Sequence, residues 1–188
     1  MPYNAIDLFC GCGGVTQGLK DAGFNVLAGV EVCSAPATVY RENHPEVQLF
    51  EADIIELDID EVEDACNGLT VHLVAGCPPC QGFSSIRRHN REQPVDDPRN
   101  LLVHEYFCYI ERFHPYVFIF ENVPAIENYP LFVDIRERLR DMGYELDCKV
   151  VNVARYGVPQ RRKRFVMIGS RIGGIPIPDG DNTTITVK

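Results

Sequence analysis

Two cysteines three residues apart, Cys77 and Cys80, flank a pair of prolines in the stretch Gly76-Cys77-Pro78-Pro79-Cys80-Gln81-Gly82-Phe83-Ser84. The stretch follows an apolar run, Val71 to Ala75, that reads as a buried strand. In an open α/β sheet, ligands bind outside the carboxyl ends of the strands, so a cysteine here stands where chemistry is done. The prolines remove backbone donors and stiffen the approach to Cys80. A thiol becomes nucleophilic when it is partly exposed and a cation or helix N-terminus favours its thiolate. Arg87, Arg88 and Arg91 follow closely. The same C-x-x-C also suits a dithiol redox pair, or half of a zinc site with Cys10 and Cys12 as the other half. On these residues alone the three chemistries stand side by side.

Further groups of chemical interest recur after other apolar runs. Phe9-Cys10-Gly11-Cys12-Gly13-Gly14 follows the first, and its glycines let backbone approach a ligand closely. It lacks the full G-x-G-x-x-G spacing, so a nucleoside-type ligand without a phosphate fits better than a dinucleotide. Glu31, at the end of the second run, lies about twenty residues on, at the distance of an acid that binds ribose hydroxyls, and Asp53, after the third, could accept from an exocyclic amine. Glu121 and Asn122 end the apolar run Tyr116 to Phe120, and Gln160-Arg161-Arg162-Lys163-Arg164 concentrates positive charge late in the chain.

The elements that must position these groups alternate. Strands are predicted over Asn4 to Phe9, Asn25 to Val32, Val47 to Phe50, Val71 to Ala75 and Tyr116 to Phe120. Helices are predicted over Val15 to Ala22, from Ser34 as N-cap, over Glu56 to Asn67, from Asn100 to Phe113, and from Pro124 to Met142. Two final strands, Tyr144 to Val153 and Arg164 to Ser170, form a hairpin-like pair with the last strand antiparallel. The alternation predicts an α/β fold, a doubly wound, mostly parallel sheet with helices on both faces. The loop from Gly76 to Arg99 is long enough to imply a function of its own.

With 188 residues, 45% of them hydrophobic, one domain with a full core is the simplest organisation. Eight scattered cysteines without a disulfide framework, and no signal-like N-terminus, predict a reduced intracellular, cytoplasmic protein. No apolar run reaches the ~20 residues of a membrane span. The net charge of −9 disfavours nucleic-acid binding over the whole surface. An acidic block from Glu42 to Gly68 without Lys or Arg is expected to be a solvated face, and the two arginine clusters are where a polyanion would be met.

Taken together, Asp7 to Gly14, Glu31, Asp53, Gly76 to Ser84, Glu121-Asn122-Val123 and Gln160 to Arg164 resemble, in order and spacing, the S-adenosylmethionine-dependent DNA cytosine-C5 methyltransferases. The likeness runs from Ala5 to Ser170. It implies a Rossmann-like methyltransferase fold and displaces the redox and zinc readings of Cys77 and Cys80; no metal is expected. It implies Cys80 as the nucleophile that adds to C6 of a cytosine flipped out of double-stranded DNA. Glu121 would hold N3 and the exocyclic amine, and Arg162 the ring O2, supported by Gln160 and Arg164. Phe9, Gly11, Gly13, Gly14, Glu31, Asp53, Ile54 and Pro79 would form the S-adenosyl-L-methionine shell.

Members of the family carry a target-recognition region and a returning helix after the last basic motif. The expected organisation here is a catalytic domain over 1–171 and an extended tail over 172–188, with target recognition left to a missing segment or a second polypeptide. An apolar patch beside the first strand and helix is then expected to lack its usual cover. A restriction-modification setting is one that the resemblance allows. A tRNA methyltransferase of the same fold, or a non-catalytic remnant that holds cofactor or partner, are the alternatives.

Overall fold

The computed structural model describes residues 3–79 and 100–181. Seven strands form one sheet: β1 Tyr3–Leu8, β2 Phe24–Val30, β3 Gln48–Phe50, β4 Leu73–Gly76, β5 Val117–Asn122, β6 Glu145–Asn152 and β7 Lys163–Ser170. Their spatial order is β3-β2-β1-β4-β5-β7-β6. Strands β1 to β5 pair in parallel, and β7 runs antiparallel between β5 and β6. The doubly wound sheet with an antiparallel last strand is therefore as the sequence predicts. Its winding reverses between β1 and β4, the point at which such sheets open a ligand crevice.

Helices α1 Gly14–Asp21, α2 Ser34–Asn43, α3 Ile59–Ala65, α4 Asn100–Phe113 and α5 Pro130–Asp141 connect the strands. Three of the helices differ from the sequence reading for a local reason that the structure shows. Cys33, not Ser34, is the N-cap of α2, and it makes no side-chain cap. The Cys33 amide is satisfied instead by the Glu31 carboxylate at 2.7 Å. Helix α3 is shorter than the predicted 56–67 because Asp53 and Asp58 each accept from an amide two residues on, from Ile55 and Asp60 at 3.0 Å. Such side-chain turns compete with helix until the Asp58 cap sets it going. The predicted helix from Pro124 to Met142 is two pieces, a 3₁₀ turn Pro124–Asn128 and α5, with extended Tyr129 ahead of Pro130.

Strands β4 and β5 are buried by aromatic packing. Phe107 of α4 lies 5.4 Å from Phe120, Phe120 lies 5.4 Å from Phe132 of α5, and Phe132 lies 5.3 Å from Phe165 of β7. Each such pair adds about 0.5–1.5 kcal/mol beyond its buried area. Gly169 makes room for this cluster: a Cβ there would sit 2.0 Å from Phe118 Cε1. Gly169→Ala is therefore expected to cost about 2–3 kcal/mol. Urea unfolding checks it, and an unchanged midpoint would contradict the packing described.

The acidic segment faces solvent, with Arg112 of α4 ion-paired to Asp60 and Glu63 of α3. Among apolar side chains at the first strand and helix, Tyr3 and Val15 are exposed. Beyond β7 the chain turns back along the outermost strand. The Ile177 amide donates to Asp147 Oδ2 at 2.6 Å and its side chain is buried; Asp179 pairs with Lys149; Tyr156 Oη donates to the Pro178 carbonyl at 2.8 Å, and Arg155 Nη2 to that of Gly180 at 3.1 Å.

Candidate active site

Parallel pairing sets the strand ends level. Leu8 pairs with Val30 and Gly76, Val30 with Phe50, and Gly76 with Phe120. Phe9 to Gly14, Glu31, Asp53, Cys77 to Pro79 and Glu121 consequently lie along one edge. Because β7 is antiparallel, its first residues reach the same edge, with Phe165 opposite Asn122. Arg164 thereby meets Glu121, Nε to Oε1 at 2.6 Å, with both side chains largely shielded from solvent. Gln160 and Arg162 are exposed in the turn just before it.

The loop after β1 is bent tightly. Phe9 takes φ 59°, a left-handed conformation uncommon for a non-glycine residue, and Gly11 and Gly13 take φ 55° and 92°. A Cβ on Gly13 would lie 2.3 Å from the buried His44 imidazole, so only glycine fits. His44 Nε2 meets the Gly13 carbonyl at 3.1 Å. Gly14 opens α1 with open space around it, and Phe9 is half-buried against the core. Glu31 ties this loop to the start of α2: its carboxylate accepts from the Gly11 amide at 3.0 Å and the Cys33 amide. Each carboxylate oxygen keeps a further lone pair for a ligand hydroxyl. Asp53 is half-buried, and Ile54, its neighbour in the expected cofactor shell, is 4% exposed and packs into the core.

Beneath the loop, Asp7 is buried. Thr16 Oγ1 donates to its Oδ2 at 2.7 Å and in turn meets the Tyr40 hydroxyl at 2.7 Å, while Asp7 Oδ1 is buried with no hydrogen-bond partner among the described residues. Desolvation raises the Asp7 carboxyl to about 7, against the lowering effect of Thr16.

Cys80, and with it Arg87, Arg88 and Arg91, lies outside the described residues; its approach does not. Gly76 packs under the Tyr106 ring, where a Cβ would come within 2.7 Å. Pro79 is exposed, and Asn122 Nδ2 donates to the Pro78 carbonyl at 3.1 Å in a buried bond that fixes the prolines. Cys77 is turned inward to Glu121. Burial, then the charges of Glu121 and Asp7, push its thiol well above the ordinary range, which disfavours its thiolate. Sequence reading named neither Asn122 nor Cys77 as positioning groups, although the Glu-Asn pair at a strand end was the available signal.

A seven-stranded sheet in this order, with a glycine bend after β1 and acids after β2 and β3, is the Rossmann-like architecture of methyltransferases. The chain belongs to the C-5 cytosine-specific DNA methylases, whose family model matches residues 3–183. It is 37% identical over 187 residues to the type II methyltransferase M1.HphI of Haemophilus parahaemolyticus, covering 97% of this chain and 50% of that protein. It is 31% identical to M.AquIA of Picosynechococcus, covering 92% of this chain and 74% of that one. Among solved structures, Spodoptera frugiperda DNMT2 superposes with a TM-score of 0.73 at 21% identity, over 97% of this chain and 57% of that one, a likeness of fold. The chain thus spans about half the length of curated relatives such as M1.HphI. No helix among the described residues is long and apolar enough to cross a membrane.

Proposed function

We propose that this chain is the catalytic part of a DNA (cytosine-5)-methyltransferase that binds S-adenosyl-L-methionine at the β1–β3 end of the site edge and a flipped cytosine at the β4–β7 end. The Glu121–Arg164 pair beside the clamped Pro78-Pro79 approach carries the reading. The residues present fit the cofactor. The Gly11 to Gly13 bend admits close backbone approach, Glu31 keeps lone pairs for ribose hydroxyls, and Asp53 is placed to accept from the adenine amine. Phe9 supplies an apolar wall.

When bound, S-adenosyl-L-methionine supplies the electrophilic methyl group. The chain's own residues prepare the acceptor. The Cys80 thiolate adds to C6 of the cytosine, which moves electron density to C5. Glu121 holds N3 and the exocyclic amine as the ring loses aromaticity, and Arg164 keeps the carboxylate aimed. Arg162, in the exposed turn with Gln160, contacts the ring O2. Loss of the C5 proton and expulsion of Cys80 then restore the ring. Recognition of a target sequence in duplex DNA falls to a further segment or a second polypeptide, in keeping with the half-length match to relatives.

Calorimetric titration of the chain with S-adenosyl-L-methionine tests the cofactor half. Binding is expected, weakened about 10- to 100-fold in Asp53→Ala by loss of a charge-assisted hydrogen bond. No binding by the unmodified chain would overturn the reading that it holds the cofactor unaided. Transfer of labelled methyl to tRNA, with none to duplex DNA in the presence of a recognition subunit, would overturn the assignment of substrate.

A further inference from the structure

On the outer helices, away from the site edge, α4 carries His104-Glu105-Tyr106-Phe107-Cys108. Residues four apart share one helix face, the spacing by which paired ligands on a helix hold zinc. Tyr106 and Phe107 point into the core, which leaves His104, Glu105 and Cys108 half-buried together at the surface. Their distances converge on one atom. His104 Nδ1 is 3.4 Å from Cys108 Sγ and 3.8 Å from Glu105 Oε1. One donor atom from each of the three residues falls within 4.8 Å of the others, the only such group of metal-ligating side chains among the described residues.

Hydrogen bonding accounts for part of this arrangement. One ring nitrogen can accept from a thiol or donate to a carboxylate, not both, and 3.8 Å exceeds hydrogen-bond length. A metal ion satisfies all three at once. With Zn–S about 2.3 Å and Zn–N and Zn–O about 2.0–2.2 Å, tetrahedral ligands stand roughly 3.4–3.6 Å apart, close to the two separations from His104 Nδ1, while the Cys108 and Glu105 atoms lie within 4.8 Å. A recess between α4 and α5, lined by His104, Phe107, Cys108, Glu111, Arg138 and Met142, adjoins the group and leaves room for a fourth, water ligand. Among the described residues the cation lining this recess, Arg138, is engaged by Glu111, so its repulsion of a second cation is offset.

We propose that Cys108 Sγ, His104 Nδ1 and a Glu105 carboxylate oxygen form a binding site for one thiophilic divalent cation, zinc above all, with water completing a tetrahedron. On binding, the Cys108 thiol releases its proton to solvent and no redox change occurs. The site sits one turn into the helix that follows the segment carrying Cys80, and a bound ion would pin that turn.

Cobalt(II) is the probe, titrated into the reduced chain without thiol reductants. The unmodified protein is expected to bind one equivalent more than Cys108→Ser or His104→Gln, with a correspondingly stronger thiolate-to-cobalt band. Cysteines elsewhere, Cys77 and Cys80 included, are common to all three proteins and cancel. Glu105→Gln should keep the stoichiometry and bind at least about tenfold more weakly. Metal-free melting temperatures establish that the variants fold. Equal stoichiometry in the unmodified, Cys108→Ser and His104→Gln proteins overturns the site, and unchanged affinity in Glu105→Gln overturns the three-ligand set.

Discussion

Replacing Asp7 by asparagine will remove a fall in stability that the unmodified chain shows between about pH 4 and pH 7. Burial holds the folded carboxyl protonated up to about 7, whereas the unfolded chain releases that proton near 3.9. Between those values the folded state carries the extra proton, so stability is greatest below the unfolded value and declines as pH rises through the window. A separation of about three units corresponds to on the order of 4 kcal/mol. Burial raises the thiols of Cys10 on the same loop and Cys77 after β4, and the Tyr40 hydroxyl of α2, far above this range. Urea unfolding of both proteins from pH 4 to 8 measures the difference. Parallel profiles would mean that Asp7 is ionised in the fold.

The second large effect concerns Glu31. Its carboxylate joins two backbone amides, those of Gly11 and Cys33, from opposite sides of the cofactor end. Glu31→Ala strands both donors and removes the proposed ribose acceptor. Charge-assisted hydrogen bonds contribute about 1.5–3 kcal/mol each, so cofactor affinity should drop about 100-fold or more. Glu31→Gln keeps an acceptor for one amide and should recover part of the loss. Calorimetry beside a thermal melt separates the two roles, and an affinity within about threefold of the unmodified chain would disprove them.

Much of this was legible in the residues. Apolar runs separated by helical stretches announced a parallel sheet, and parallel pairing by itself levels the strand ends that carry Phe9, Glu31, Asp53 and Glu121. The antiparallel last strand was legible as the second arm of a hairpin-like pair, and that direction is what brings Arg164 to Glu121. Contacts that depend on side chains far apart in sequence were not legible. Nothing in the local pattern indicates that Asn122 will hold Pro78 forty-four residues away, or that His44 will fill the space a Cβ on Gly13 would need. Helix boundaries failed where aspartates competed for backbone amides, as at Asp53 and Asp58. The Cys77–Cys80 pair stayed ambiguous by spacing alone, because spacing does not show that Cys77 is turned toward the Glu121 carboxylate.

The antiparallel direction of β7 also sets the route of the chain beyond it. A strand that starts at the catalytic edge must finish at the opposite one, so Ser170 leaves the sheet on its far side. The return along β6 reverses that. Ile177 lies by Asp147, Asp179 by Lys149 and Gly180 by Arg155, a progression in the same direction as β6. The tail works as a return conductor that delivers residue 181 to the edge holding Arg162 and Arg164.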